Sequence, residues 1–243
     1  MVVRGLTFDF WGTLFTEGPR FLEVVLPKRY EILLDATSEA GVPASEEAVR
    51  EAYRAASAAF RAAWEAGEQM SNYDRVAYMF KTLGVPFDEG LVALTARRLE
   101  DAALEGELVP LPGTMEAIPA LAQDYPLGIV SDTGLTPGRI IRELLARINM
   151  ARYFHAMSFS DETGAVKPNP EAFHHALDAM GVEPARALHT GDLPRADIEG
   201  AFGAGYPYAV LYTGRHQREP KGHQPTAILS DHRELVKLLP RLR

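Results

Sequence analysis

Cysteine is absent from this chain of 243 residues. That excludes disulfides, thiol catalysis and thiolate metal sites. Long hydrophobic runs are missing too: no stretch reaches the ~18 apolar residues of a membrane span. The opening "MVVRGLTFDFW" is too short and too interrupted for a signal peptide, and no small-residue cleavage pattern follows it. Positive charge is in short supply. Lys and Arg number 25 against 33 Asp and Glu, a formal net charge of −8, which argues against a nucleic-acid groove or a face for anionic membrane. Apolar residues are plentiful at 47%, enough to bury a core and to exclude disorder. The expectation is a soluble, cytoplasmic protein without nucleic-acid or membrane partners, built as one large domain or two small ones. Composition leaves the oligomeric state open.

Short apolar runs that end in polar residues recur along the chain. "RGLTFDF" ends at Asp9, "PLGIVSD" at Ser131-Asp132, "FHAMSFSD" at Ser160-Asp161, "RALHTGD" at Asp192 and "YPYAVLYTG" near Gly214. Helical patterns lie between the later runs. Ile140, Ile141, Leu144, Leu145 and Ile148 follow Pro137; Phe173, Leu177 and Met180 follow Pro170; Ile198, Ala201 and Phe202 follow Pro194. Proline suits a first helical turn. Strands alternating with helices predict βαβ units and an α/β, Rossmann-like parallel sheet. Ligands of such sheets bind outside the carboxyl ends of the strands, so every polar strand end above is expected to face one crevice.

Residues 17–110 read differently, with no convincing strand. Val49, Tyr53, Ala56, Phe60 and Trp64 recur at helical spacing behind Ser45 as a candidate N-cap. Tyr73, Val76, Ala77, Phe80 and Leu83 form a second stripe, and Leu91, Leu94 and Leu99 a third. "GVP" at Gly41 and again at Gly84 breaks helices. The expectation is an all-helical insert over 17–110, carried by an α/β core of residues 1–16 and 111–243. Aromatic stripes in the insert are expected to be bundle core. Arg20, Lys28 and Arg29 open the insert as cations available to an anionic substrate, with nothing to single one out.

Four polar clusters converge at the strand ends: Asp9 with Gly12-Thr13; Ser131-Asp132-Thr133-Gly134; Lys167 in "VKPNPEAF"; and Asp192 with Asp197 in "GDLPRADIEGAFGAG". Taken singly, each has a plainer reading as a helix cap, a turn or a solvated cation. As an ordered set they share the chemistry of phosphoryl handling. A carboxylate can attack phosphorus to give an aspartyl-phosphate. Mg²⁺ takes hard oxygen ligands, typically one or two carboxylates with water and substrate oxygens. A hydroxyl, a lysine and loop N–H groups can stabilise phosphoryl oxygens in the transition state.

At this point a family resemblance emerges. "FDFWGTLF", "GIVSDTG", "GAVKPNPEAF" and "HTGDLPRADIEGAFGAGY" match in order the four motifs of the haloacid dehalogenase-like hydrolases, a superfamily dominated by Mg²⁺-dependent phosphatases. The helical insert resembles that family's cap between the first and second motifs. The resemblance implies Asp9 as nucleophile and metal ligand, Ser131 as holder of the phosphoryl group, and Lys167 as the charge between nucleophile and phosphate. Gly12, Thr13 and Asp132 would line the substrate. Asp192 would bind Mg²⁺, Asp197 would be its direct or water-bridged partner, and the backbone carbonyl of Trp11 a further ligand.

Trp11 is also the departure. Most family phosphatases carry at this position a second aspartate that serves as general acid and then base. The L-2-haloacid dehalogenases of the family also lack it, placing an aromatic residue there, and need no metal. The fourth motif decides for a phosphatase acting on a small phosphorylated substrate. Dehalogenases have a Ser-Ser-Asn arrangement there, whereas Gly191-Asp192 with Asp197 follows the phosphatase form. Acids gathered beside Asp9 need a cation. A third reading, a binding or regulatory protein that has lost efficient catalysis, is favoured by Trp11 and opposed by Asp9, Lys167 and Asp192. His189 is expected to be a satisfied core histidine. His174 and His175 are adjacent on one helix and cannot share a metal. The stretch Thr213 to Gln224 is expected to be a solvated loop.

Overall fold

The computed structural model describes residues 2–220 and 222–242. Strand β1 (Gly5–Phe8) opens the order, followed by the short β2 (Phe15–Glu17). Four helices come next: α1 (Leu26–Glu39), α2 (Glu46–Glu65), α3 (Asn72–Leu83) and α4 (Glu89–Asp101). Then follow β3 (Leu108–Pro110), α5 (Thr114–Leu121), β4 (Leu127–Ser131), α6 (Gly138–Arg147) and β5 (Ala156–Phe159). The remainder is α7 (Ser160–Thr163), α8 (Pro170–Met180), β6 (Ala187–Gly191), α9 (Gly200–Gly203), β7 (Tyr208–Tyr212), β8 (Ala227–Leu229) and α10 (His232–Leu238). Among the described residues no helix is long and apolar enough to cross a membrane.

The chain divides into two compact units. The α/β unit holds the chain up to Thr16, Leu108–Asp132 and everything from Leu145 onward. Its six-stranded sheet has the order β5-β4-β1-β6-β7-β8, and all five pairings are parallel. The chain therefore starts at the centre, builds outward through β4 and β5, then returns to the other side of β1 for β6. Strand order reverses around β1, which makes the carboxyl end of β1 the place where a parallel sheet opens a crevice. Strands β1, β4 and β6 are buried throughout, which explains why they read as near-continuous apolar runs. Helix α8 contributes Phe173 and Leu177, both fully buried, to a core with Val130, Ile198, Ala201 and Leu211. The Phe173 ring meets the His189 ring edge-on, with centroids 5.0 Å apart.

The helical unit comprises Glu17–Glu107 together with Thr133–Leu144. Ser45 caps α2 as expected, accepting from the Ala48 N–H, and Ser71 caps α3 in the same way, accepting from the Asp74 N–H. The "GVP" glycines end helices in left-handed geometry, at φ +73° for Gly41 and +72° for Gly84, where a side chain would be strained.

This unit differs from the expected 17–110 insert at both its extent and its faces. Leu108–Pro110 form a strand paired with β2 in a separate two-stranded sheet. Residues 133–144 group with the helices because polar contacts fasten them there. Arg29 donates to the Leu135 carbonyl at 2.7 Å, Asn72 to the Gly134 carbonyl at 3.0 Å, and Arg139 to Glu100 and Asp101 at 2.6 Å each. In α3 the buried face shares Val76 and Phe80 with the stripe expected from Tyr73 but is completed by Asn72, Arg75 and Met79, while Tyr73, Ala77 and Leu83 are only half-buried. In α4 it is Val92, Thr95, Ala96 and Leu99, while Leu94 is exposed.

Phe173 is a fully buried ring, packed so closely that a Cβ on Gly200 would lie 2.8 Å from it. Phe173→Ala is expected to destabilise the α/β unit by about 3–5 kcal/mol, read as a lowered urea midpoint with an unchanged slope.

Candidate active site

Asp9 follows β1 directly, and its N–H donates across to the Thr190 carbonyl of β6 at 2.9 Å. Its two carboxylate oxygens have different partners. Oδ1 accepts from Lys167 Nζ at 2.7 Å, and Oδ2 from the Thr13 hydroxyl at 3.0 Å. Lys167 reaches Asp197 Oδ1 as well, again at 2.7 Å. The ammonium thus bridges the carboxylate at the end of β1 and the one on the turn after β6, at 3% exposure for Lys167. Its own backbone is held by Asp132, whose Oδ1 accepts from the Lys167 N–H at 3.0 Å.

Asp192 follows β6, and Asp197 lies on the π-helical turn Pro194–Glu199. That turn folds back so that Asp197 Oδ2 accepts from the Leu193 N–H at 2.8 Å. His189 Nε2 lies 3.3 Å from Asp197 Oδ1, and Nδ1 lies 2.9 Å from the Thr7 hydroxyl. Thr7 and His189 are register neighbours on β1 and β6, and Thr7 also meets the Tyr206 hydroxyl at 3.2 Å. His189 is therefore a satisfied buried histidine, as expected, but one that holds a member of the acidic cluster. Thr7 and Tyr206 escape a reading by motif, because they sit on strand and loop positions indistinguishable from core. Register pairing of β1 with β6 is the signal that would have found Thr7.

Gly12 is in left-handed geometry, φ +81°. A Cβ there would lie 3.0 Å from Asp192 Oδ2, so only glycine lets the backbone after Trp11 come this close to the carboxylate. Trp11 is half-buried, its ring edge-on to Phe10 with centroids 4.7 Å apart. Ser131 ends β4 and is buried at 2% exposure. The loop expected to be solvated does reach the cluster: Arg218 Nε lies 3.4 Å from Asp192 Oδ2. The other oxygen, Asp192 Oδ1, is buried and has no hydrogen-bond partner.

Oxygens of Asp9, Asp192 and Asp197 all lie within 4.8 Å of one another. Against three carboxylates stands one buried ammonium, and the imbalance appears in their proton affinities. Burial pushes the Asp9 carboxyl up to about 8; Lys167 opposes the rise, while Asp197 and Asp192 add to it. Burial, then Asp197, pushes Asp192 up to about 6. Asp197 goes the other way: burial works against its charge, but Lys167 and the His189 hydrogen bond hold it well below the carboxylate range. Burial likewise opposes the Lys167 charge, and Asp197 with Asp9 overrides it, keeping the ammonium protonated beyond the usual lysine range. A divalent cation fits this donor set. Two acids are under-compensated, one oxygen is orphaned, and the glycine cradle at Gly12 leaves room beside it.

The chain matches the haloacid dehalogenase-like hydrolases over residues 3–205, and it belongs to that family of hydrolases. It is 30% identical over 228 residues to the glyceraldehyde 3-phosphate phosphatase of Methanothermobacter thermautotrophicus, with 91% of each chain covered. It is 33% identical over 131 residues to pyrimidine 5'-nucleotidase YjjG of Escherichia coli (strain K12). That alignment covers 54% of this chain and spans only 56% of the relative. Among solved structures, 2-haloacid dehalogenase from Pseudomonas syringae pv. Tomato DC3000 superposes with a TM-score of 0.74 over 100% of both chains. At 21% identity that likeness is one of fold.

The shifted acids set the pH dependence of the metal-free protein. Asp9 in the folded state titrates at about 8 against an ordinary 3.8, so between these values the native state holds a proton that the unfolded state releases. Stability must then fall as pH rises through this window. Asp192 adds to the fall up to about 6, while Asp197 titrates below the window and does not offset it. The melting temperature in EDTA should drop between about pH 5 and pH 8, MgCl₂ should flatten the drop, and Asp9→Asn should remove most of it. Each kcal/mol corresponds to about 2–4 °C at this size. A melting temperature that rises over the same range would refute the assignment.

Proposed function

We propose that the protein is a Mg²⁺-dependent phosphatase that cleaves a small phosphate monoester through an aspartyl-phosphate on Asp9. The observation that carries the reading is the under-compensated acidic cluster, with Asp9 on Lys167 and Asp192 Oδ1 without a partner. Asp9 attacks phosphorus, the P–O bond to the leaving group breaks, and the phosphoryl group is held on the Asp9 carboxylate. Water then cleaves that acyl phosphate and restores Asp9. Lys167 and the Ser131 hydroxyl hold the equatorial phosphoryl oxygens as charge develops. Thr13, whose hydroxyl donates a hydrogen bond to Asp9, and Asp132, which holds the Lys167 backbone, position the nucleophile and the lysine more than they line the substrate. Asp9, Asp192 and the Trp11 carbonyl would hold the Mg²⁺, with Asp197 reaching it through water because its own oxygens already accept from protein donors. Bound there, the ion neutralises the cluster and polarises a phosphoryl oxygen.

A second reading, halide displacement from a 2-haloacid, is favoured by the aromatic residue at position 11. It leaves the Asp192–Asp197 pair without a purpose. The two readings separate in one assay. p-Nitrophenyl phosphate and acetyl phosphate should be hydrolysed only with Mg²⁺, and Asp9→Asn should lower turnover by about 10⁴-fold or more. Metal-independent chloride release from L-2-chloropropionate would overturn the phosphatase reading.

Trp11 has no proton to give. A general acid is worth roughly 10²–10⁴-fold where the leaving group needs protonation, so the enzyme should favour phosphates with good leaving groups. Trp11→Asp should raise the ratio of kcat/KM for an alkyl over a nitrophenyl phosphate by about 10-fold or more. Loss of the ring packing on Phe10 takes part of the gain. An unchanged ratio in the folded, Mg²⁺-saturated variant would mean that the proton comes from elsewhere.

A further inference from the structure

His232, in the α/β unit, is a buried titratable group that the phosphatase chemistry leaves unused. It is the first residue of α10, and that helix start is held firmly. Asp231 and Glu234 form a reciprocal cap: Asp231 Oδ1 accepts from the Arg233 N–H at 2.8 Å, and Glu234 Oε1 from the Asp231 N–H at 3.1 Å. The His232 N–H donates to the Pro112 carbonyl at 3.0 Å. The imidazole lies flat on the Tyr212 ring, with centroids 4.2 Å apart and planes 5° apart. The Tyr212 hydroxyl donates to the same Pro112 carbonyl at 3.2 Å. Backbone and stack together give the imidazole one orientation.

That orientation aims it at the loop after β1. His232 Nε2 lies 2.8 Å from the Thr13 carbonyl oxygen, and a carbonyl only accepts, so Nε2 carries the hydrogen. The same ring meets Phe8 edge-on, with centroids 6.1 Å apart. Phe8 immediately precedes Asp9, and Thr13 donates its hydroxyl to Asp9 Oδ2 at 3.0 Å. One side chain thus touches both ends of the loop that carries the nucleophile. Inside the loop, backbone groups close the turn on each other. The Phe10 carbonyl accepts from the Leu14 and Phe15 N–H groups at 3.0 Å each, and the Phe15 carbonyl from the Gly12 N–H at 2.8 Å. The Thr13 carbonyl is met instead by a side chain 219 residues away in sequence. Packing alone does not call for an imidazole, since a phenyl ring would stack on Tyr212 as well. What the imidazole adds is the N–H. Burial lowers its pKa to about 4, against the Thr13 hydrogen bond and Asp231, so the donor is neutral and adds no cation beside the acidic cluster.

We propose that His232 is a positioning residue for catalysis: by holding the Thr13 carbonyl it sets the Thr13 hydroxyl, which fixes the plane of the Asp9 carboxylate for attack. The proposal rests on the phosphatase reading and deepens it. Orientation of a nucleophile is read in kcat, because a misplacement of about 1 Å can cost roughly 10²-fold. His232→Phe keeps the stack and removes the donor. With p-nitrophenyl phosphate and saturating Mg²⁺ it should lower kcat by about 10-fold or more and leave KM within about 2-fold. His232→Gln, whose amide N–H reaches the same carbonyl, should recover part of the loss. The route through Thr13 is tested by a double-mutant cycle. Once Thr13→Val has removed the hydroxyl, adding His232→Phe should lower kcat by no more than about 2-fold. A role in stability alone would leave kcat of the folded variant unchanged. The wild-type protein gives a measurement that survives a misfolded variant: labelled with ¹⁵N-histidine, it should show His232 as the neutral Nε2–H tautomer at pH 7. An Nδ1–H tautomer, an unchanged kcat in folded His232→Phe, a loss confined to KM, or an equal loss with and without the Thr13 hydroxyl would each overturn the proposal. Any of these with p-nitrophenyl phosphate still hydrolysed by the wild type leaves the phosphatase reading standing, whereas no hydrolysis of any phosphate ester would overturn both.

Discussion

The ammonium of Lys167, buried between Asp9 and Asp197, is the interaction on which the α/β unit's functional end depends. It ties together the loop after β1, the segment before α8 and the turn after β6. Each of those segments has a second tether. Thr13 holds Asp9, Asp132 holds the Lys167 backbone, and Leu193 with His189 holds Asp197. Removing one partner of such a buried pair typically costs about 3–5 kcal/mol, because the other charge is left stranded. The same arrangement cannot balance three acids, and that shortfall gives the site its character. Burial makes Asp9 and Asp192 resist ionisation, whereas Lys167 and His189 overcome the same burial at Asp197 and keep it ionised.

This division separates scaffold from chemistry. Asp197 already accepts from three protein donors, one of them a histidine backed by Thr7 and Tyr206. It behaves as part of the frame that aims Lys167. Asp9 and Asp192 keep capacity that the protein leaves unfilled. The frame lies on buried parallel strands, where backbone hydrogen bonds on both sides fix each position. The chemistry is confined to short loops at their ends, which is how one sheet can serve different reactions by loop changes alone.

The sheet and its acidic end were legible from the chain because parallel strands bury both faces and so read as apolar runs, each broken by the polar residue that faces the crevice. Asp9, Ser131 and Asp192 announced themselves this way, while Lys167, on the segment before α8, stood out only as a member of the ordered set. The helical unit was legible only in outline. Apolar periodicity assigned α3 a stripe beginning at Tyr73, but the buried face includes Asn72 and Arg75, and a rule that looks for hydrophobic residues passes over buried polar ones. Residues 133–144 gave no sign of their grouping with the helices. Their fastening is by carbonyls accepting from Arg29 and Asn72 and by the Arg139 ion pairs, contacts distant in sequence that carry no local pattern. The strand Leu108–Pro110 is three residues long, too short for alternation to register.

That discontinuity of the helical unit bears on how such a module can be inherited. An excision or exchange of 17–107 between relatives would transplant four helices without the segment that caps their polar face. Asn72, Arg29 and Glu100 would then have to find substitutes in a foreign 133–144. The two stretches are therefore one physical unit, fastened by side chains distant in sequence. A chimaera that swaps the helices alone would inherit a scar of unpaired donors, whereas one that carries both pieces would graft cleanly.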